Sequence, residues 1–153
     1  MAREIERKFL VNSDEYRKSS TGVLYKQGYL SRSPDCTVRV RTAGDKAWLT
    51  IKGQSSGASR SEFEYQIPYE DALLLFSLCE GGLVEKIRYR VPYEGMVWEV
   101  DEFMGQNEGL VIAEIELEYE DQPFSIPPWA GREVTGDPRY YNSNLAVKPF
   151  REK

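Results

Sequence analysis

The stretch EIERKFLV, residues 4–11, places Glu4, Glu6 and Lys8 on alternate positions with Ile5, Phe9 and Val11 among them. Alternation of this kind marks a strand, because successive side chains point to opposite faces, so the three charges share one face. Two carboxylates at i and i+2 offer oxygen ligands to a hard divalent cation, and a neighbouring lysine offers a point charge to a phosphate oxygen. The pattern recurs downstream. Glu114, Glu116 and Glu118 alternate with Ile115, Leu117 and Tyr119; Glu62 and Glu64 alternate with Phe63 and Tyr65; Glu99 and Asp101 alternate with Trp98 and Val100. Basic residues do the same: Arg39 and Arg41 with Val38 and Val40, Lys52 after Ile51, and Lys86, Arg88 and Arg90 with Ile87, Tyr89 and Val91.

Two architectures fit such stripes. In an ordinary half-buried sheet the charges face solvent and the apolar stripes share a core. In the inverse arrangement the charges line the lumen of a barrel, and the outward apolar stripes are covered by helices, loops or a second subunit. The signs favour the lumen, since they are segregated by strand, whereas solvated faces usually mix them. Carboxylates on one side could hold Mg²⁺, with waters and phosphates completing the shell, while arginine and lysine opposite hold phosphate oxygens. An acidic chain could bind a polyanion in this way.

The rest of the composition narrows the chemistry. The 153 residues include no histidine, which excludes histidine triads and histidine-ligated zinc and leaves carboxylates, lysine, tyrosine or a metal for catalysis. A net charge of −5 argues against a nucleic-acid binder with a broad basic face. No apolar run approaches the ~20 residues of a membrane helix, and charge begins at Arg3, so a cytoplasmic protein with no membrane span is expected. Two cysteines, Cys36 and Cys79, fit free thiols in a reducing compartment.

The elements that must position these side chains are mostly strands. Period-two segments at 3–11, 25–31, 36–42, 47–53, 60–67, 84–91, 96–103 and 110–119 predict eight strands in one domain spanning 1–153. PYEDALLLFSLCEGG predicts a short helix with Glu70 and Asp71 in its first turn and Gly81 and Gly82 as its stop. Asp137 and Pro138 predict a capped helix near the end, with Tyr140, Leu145 and Val147 packing on the barrel, and a further helical turn follows Ser13. The fold class is α+β, mainly β: an eight-stranded antiparallel barrel with a few peripheral helices.

EIERKFLV also matches the ExExK signature of the CYTH superfamily, the triphosphate tunnel metalloenzymes, and the chain resembles that family in order through KQGYL (26–30), TVRVR (37–41), LTIKG (49–53), SEFEYQI (61–67), VEKIRYR (84–90), WEVDEF (98–103), AEIELE (113–118) and EVTGDPRYYNSNLA (133–146). The resemblance implies an eight-stranded tunnel with inward charges, Mg²⁺ or Mn²⁺, and a small-molecule substrate carrying a linear triphosphate. By motif position Glu4, Glu6, Glu114 and Glu116 resemble metal ligands, with Asp101 a further candidate. Lys8, Arg39, Arg41, Lys52 and Arg88 resemble phosphate contacts, and Lys86 with Tyr29 resembles the pair that activates water. Glu62 and Glu64 would share the lumen, either orienting basic residues or binding a second metal. Lys8 is open to a second reading as the ion-pair partner of Glu4 and Glu6. The family includes class IV adenylate cyclases, thiamine triphosphatases and inorganic triphosphatases, and this chain is most similar to the bacterial inorganic triphosphatases. Hydrolysis of tripolyphosphate to pyrophosphate and phosphate is the implied activity. A nucleoside or thiamine triphosphatase, a cyclase, and a binding module without catalysis remain as alternatives. A lysine base with the ordinary pKa of about 10.4 implies a rate that rises toward alkaline pH. Outward stripes such as Phe63, Tyr65, Ile67 and Ile87, Tyr89, Val91 would suit a homodimer.

Overall fold

The computed structural model describes residues 3–150; residues 1, 2 and 151–153 of the expected single domain lie outside the described residues. All eight expected strands form: β1 (Arg3–Val11), β2 (Val23–Ser33), β3 (Cys36–Ala43), β4 (Lys46–Gly53), β5 (Ser59–Ile67), β6 (Glu80–Tyr93), β7 (Met96–Phe103) and β8 (Val111–Glu116). They pair antiparallel in the order β5-β4-β3-β2-β6-β7-β8-β1, and β1 returns to β5 with Arg3 opposite Ser61 and Ile5 opposite Ser59. The eight strands therefore close into a barrel with no free edge among them. A ninth, β9 (Ala130–Glu133), lies on β1 with Phe9 opposite Glu133.

The apolar stripes point outward, so the core lies outside the barrel wall. On β1, β7 and β8 the outer residues Phe9, Trp98, Val100, Ala113 and Ile115 are buried beneath Tyr16, Leu117 and Trp129. Tyr16 comes from the 3-10 turn Glu15–Ser19 that follows β1. The Trp98 ring meets Phe9, Phe124 and Trp129 edge-on, with centroids 5.5, 5.8 and 5.8 Å away. Burying residues such as Phe9 and Ile115 contributes about 1.5–3 kcal/mol each. Helix α1 (Tyr69–Phe76) covers the β3–β4 wall, where Ala72 packs on Val40 and Ala47. A third cluster, including Tyr29, Val84, Phe103, Tyr140 and Leu145, joins the C-terminal segment to the barrel.

Two expectations are corrected by the structure. Gly81 and Gly82 do not follow the helix as its stop; they belong to β6. Gly81 has φ +70°, and a side chain there would collide with Val147, so the position serves a close approach by the C-terminal segment. The capped helix after Asp137 is two separate turns. Asp137 does accept from the Arg139 N–H, but the 3-10 turn Pro138–Tyr140 is followed by extended backbone at Tyr141 before α2 (Asn142–Leu145). Val147 remains 43% exposed, although it lies against Gly81. The outward stripes are also largely covered within the chain: Tyr89 and Val91 join the cluster beneath Tyr16, and Ile67 packs with α1. Phe63 and Tyr65, on β5, stay exposed. No helix among the described residues is long and apolar enough to cross a membrane.

Candidate active site

Because the apolar stripes face outward, the charged stripes converge inside on a cavity of about 240 Å³. Among the described residues its acids are Glu4, Glu6, Glu62, Glu64, Glu99, Glu114 and Glu116; its bases are Lys8, Arg39, Arg41, Lys52, Arg60, Lys86 and Arg88. Tyr29 lines it as well.

The cationic side is built by β3 and β6. Arg88 stands opposite Asp101 in the β6–β7 register and grips it with both arms of its fork, Nε to Oδ1 at 2.7 Å and Nη2 to Oδ2 at 2.8 Å. Lys86 Nζ lies 2.8 Å from Asp101 Oδ2. Asp101 is thus fully buried with both oxygens engaged, and it does not line the cavity. Burial would raise the Asp101 carboxyl, but Arg88 and then Lys86 outweigh it and hold the group below the ordinary carboxylate range. For Lys86 the balance falls the other way. Burial, with Arg88 and Arg41 adding to it against the pull of Asp101, lowers the amine to about 7.

Arg41 is the least satisfied member of this group. Burial first, then Arg39 and Arg88, bring its guanidinium down to about 10, and its Nε is buried without a hydrogen-bond acceptor. Arg39 has a buried, unpartnered Nε as well, while its Nη2 reaches Thr50 at 3.2 Å and Glu64 at 3.6 Å. The Tyr25 ring supports two of the cations, with Arg41 at 5.1 Å and Arg88 at 4.8 Å from its centroid.

The carboxylate side comes from β1, β7 and β8. In register Glu6 faces Glu116, Lys8 faces Glu114, and Glu99 faces Glu114. Such crowding perturbs titration. Burial raises Glu6 well above the usual range, and Glu114 and Glu4 raise it further. Burial also raises Glu116, helped by Glu4 and Glu99. Glu114 goes the opposite way: burial is outweighed by Lys8, by a hydrogen bond from Glu6, and by Arg88. Lys8 sits 3.8 Å from Glu6, a loose pair, and Glu114 and Glu6 keep it charged against burial. Glu4 is more firmly held, since Lys52 Nζ contacts both of its oxygens at 3.0 Å and lies 3.5 Å from Glu62.

Tyr29 owes its place to a break in the ladder. The register of β2 against β3 shifts between Tyr29 and Ser31, and against β6 between Gln27 and Tyr29. A bulge of this kind re-aims a side chain. A Cβ on the preceding Gly28 would come 2.6 Å from Leu83 and 2.7 Å from the Cys79 sulfur, so a side chain there would have to push these two aside. The Tyr29 hydroxyl accepts from Gln27 Nε2 at 2.9 Å.

Some lining residues escape the sequence pattern as read above. Arg60 lies on β5 in line with the Glu62 and Glu64 stripe, whose alternation could have included it, and Glu99, read as part of a stripe, lines the cavity where Asp101 does not. Thr135, Tyr141, Asn142 and Ser143 have no such signal, because they reach the cavity from the C-terminal segment rather than from a barrel strand. Trp98 and Phe103 are part of the core rather than of the cavity lining.

Inward charges, an outward core and a closed antiparallel barrel define a tunnel fold, and residues 2–141 match the CYTH domain family, to which the chain belongs. It is 55% identical over 152 residues to an inorganic triphosphatase of Acetivibrio thermocellus, covering 99% of this chain and 97% of that protein. An inorganic triphosphatase of Nitrosomonas europaea is 40% identical over 149 residues, covering 94% and 97%. The crystal structure of an inorganic triphosphatase superposes with a TM-score of 0.69 at 36% identity, covering 94% of this chain and 97% of that one.

Proposed function

We propose that the tunnel hydrolyses inorganic triphosphate to pyrophosphate and phosphate. The observation that carries this reading is Arg41, a half-buried side chain crowded by Arg39 and Arg88 whose Nε is buried with no acceptor. A cation left unsatisfied inside a cavity calls for an anion, and arginine forks match phosphate oxygens. The two inorganic triphosphatases, similar over nearly their whole length, support the same substrate.

The carboxylates opposite fit a hard divalent cation of the Mg²⁺ or Mn²⁺ type. Among the described residues no three are gathered into a finished cage, but Glu6 and Glu116 hold protons more tightly than usual because burial first, and then neighbouring carboxylates, disfavour the negative form. Oxygen donors in that condition gain most from a cation, which would displace the protons. Glu6, Glu114 and Glu116 would hold it, with Glu4 joining on release from Lys52; Glu62 and Glu64 instead orient Lys52 and Arg39. When bound, such an ion supplies charge neutralisation at phosphate oxygens and greater acidity of water. Asp101 is assigned to the cations that saturate it rather than to the metal.

Lys86 acts as the base. An amine near pH 7 is matched to neutral conditions, unlike an ordinary lysine. In the hydrolytic step a water O–H bond breaks and its proton passes to the Lys86 nitrogen while the oxygen attacks a terminal phosphorus. The bridging P–O bond opposite breaks, and its electron pair leaves with pyrophosphate. Lys8, Arg39, Arg41, Lys52 and Arg88 position the chain of phosphates and absorb its charge, with Tyr29 beside them.

The test is phosphate release from tripolyphosphate, ATP, thiamine triphosphate and pyrophosphate in parallel, with Mg²⁺, with Mn²⁺ and with chelator. Rapid metal-dependent release from tripolyphosphate above the others is expected. Preference for ATP or thiamine triphosphate would reassign the substrate, and no release from any of them would leave a binding module or a cyclase. The exposed Cys36 and unpaired Cys79 support a reducing, cytoplasmic setting, and exposed Phe63 and Tyr65 would be the first place to seek a dimer contact.

A further inference from the structure

We infer that Asn142 is a positioning residue for this reaction: its side-chain oxygen fixes the Lys86 amine so that the one direction left open on the nitrogen faces the cavity. The inference rests on the reading of Lys86 as the base. A lysine nitrogen has four tetrahedral directions. One is its own Cε; Asn142 Oδ1 accepts a hydrogen bond at 3.0 Å along another, and Asp101 Oδ2 lies at ion-pair distance, 2.8 Å, on a further side. Lys86 is 1% exposed and yet lines the cavity, so the fourth direction is its access to substrate and water. A neutral amine carries two N–H bonds and one lone pair. Two acceptors occupy both hydrogens and leave the lone pair on the remaining side. With Asp101 alone, the amine would rotate about the Cε–Nζ bond and the lone pair would lose its aim. The Lys86 nitrogen presents hydrogens to Asn142, which sets the amide with its oxygen rather than its NH₂ toward the lysine.

The route by which Asn142 arrives supports this role. It opens α2 directly after Tyr141, whose extended backbone (φ −71°, ψ 131°) interrupts what would otherwise be one helix. The segment beyond is pinned to the strand that carries Lys86: the Gly82 N–H donates to the Ala146 carbonyl at 2.8 Å, and the bare Gly81 lets Val147 approach. A second pin lies on Asn107, whose Oδ1 accepts from the Phe150 N–H at 2.8 Å. The acceptor therefore reaches Lys86 on a segment anchored four residues upstream of it on the same strand.

Steady-state kinetics on tripolyphosphate test the assignment with three variants: Asn142→Leu, which keeps the volume but removes the acceptor, Lys86→Met, and the double variant. Asn142→Leu is expected to lower kcat about 10- to 100-fold through misalignment of the base, with KM and Tm close to those of the parent. Adding Asn142→Leu to Lys86→Met should then change nothing further, because a positioning residue has no effect once the group it positions is gone. If Asn142→Leu lowers Tm, Asn142→Ala removes the same acceptor without the bulk and should show the same split. A parental kcat in Asn142→Leu, a raised KM at constant kcat, or an undiminished effect in the Lys86→Met background would each overturn the inference. Failure of the base reading looks different, since Lys86→Met would then keep its parental kcat whatever Asn142 does.

Discussion

The two sides of the tunnel are both charged and both buried, but folding has settled only one of them. Around Asp101 the hydrogen-bond geometry is complete: Arg88 closes a bidentate fork and Lys86 takes the remaining approach. Across the cavity Glu6, Glu116 and Glu114 crowd one another around Lys8, and burial together with the neighbouring carboxylates raises Glu6 and Glu116 above the usual carboxylate range. The difference separates scaffold from receptor. A satisfied ion cluster keeps its shape without ligand and can position a base, whereas a repelling cluster is held in place by the barrel ladder and stabilised when something positive arrives.

Arg88→Met attacks the settled side and has the largest expected effect. It leaves Asp101 buried with Lys86 as its sole ion partner, and removing one member of a buried pair costs about 3–5 kcal/mol. Thermal or urea unfolding should register that loss with or without cation; unchanged stability would mean that Asp101 is protonated or hydrated rather than held by Arg88. Next comes the rate profile. With the Lys86 amine lowered to about 7, kcat should fall about tenfold per pH unit below neutrality and level off above it. The alkaline rise implied by an ordinary lysine is thereby replaced by a plateau, and a limb near pH 10 would show that Lys86 is not desolvated during turnover. The same depression has a stability sign: between about 7 and the unfolded value near 10.4 the unfolded chain binds more protons at this residue, so its contribution to stability rises with pH across that window.

Glu6→Gln probes the unsettled side and should be the mildest for folding. Removing one of several repelling charges leaves the cation-free protein as stable as the parent or slightly more so, while the Mg²⁺ concentration that half-activates hydrolysis rises. Because the Glu6 carboxyl is raised, the native state holds its proton above the unfolded value near 4.3; the cation-free parent should therefore lose stability as pH climbs through that range, and Glu6→Gln should lose less. Equal pH slopes with chelator present would remove Glu6 from the repelling cluster.

What the sequence could and could not reveal follows the same division. Strand alternation is local and strong, so the eight ladder segments, the inward stripes and the carboxylates and cations on them are legible in the order of residues alone. Partnership is not local. Nothing in WEVDEF distinguishes Asp101, saturated by β6, from Glu99, which is open to the cavity two residues earlier. Gly81 and Gly82 resemble a helix stop because the segment that requires their bareness lies more than sixty residues downstream. Asn142 and Tyr141 belong to no stripe at all, and β9 is hidden between prolines and a glycine.

The balanced lining of the tunnel also governs how fast it can be filled. Among the described residues seven acids and seven bases line the cavity, while the whole chain carries −5, so a bare polyphosphate approaching from solution meets a repulsive far field and no compensating attraction until it is inside. Capture should therefore quicken, not slow, as ionic strength screens that repulsion. The form that enters most readily is one whose charge has already been partly cancelled by a counter-ion in solution.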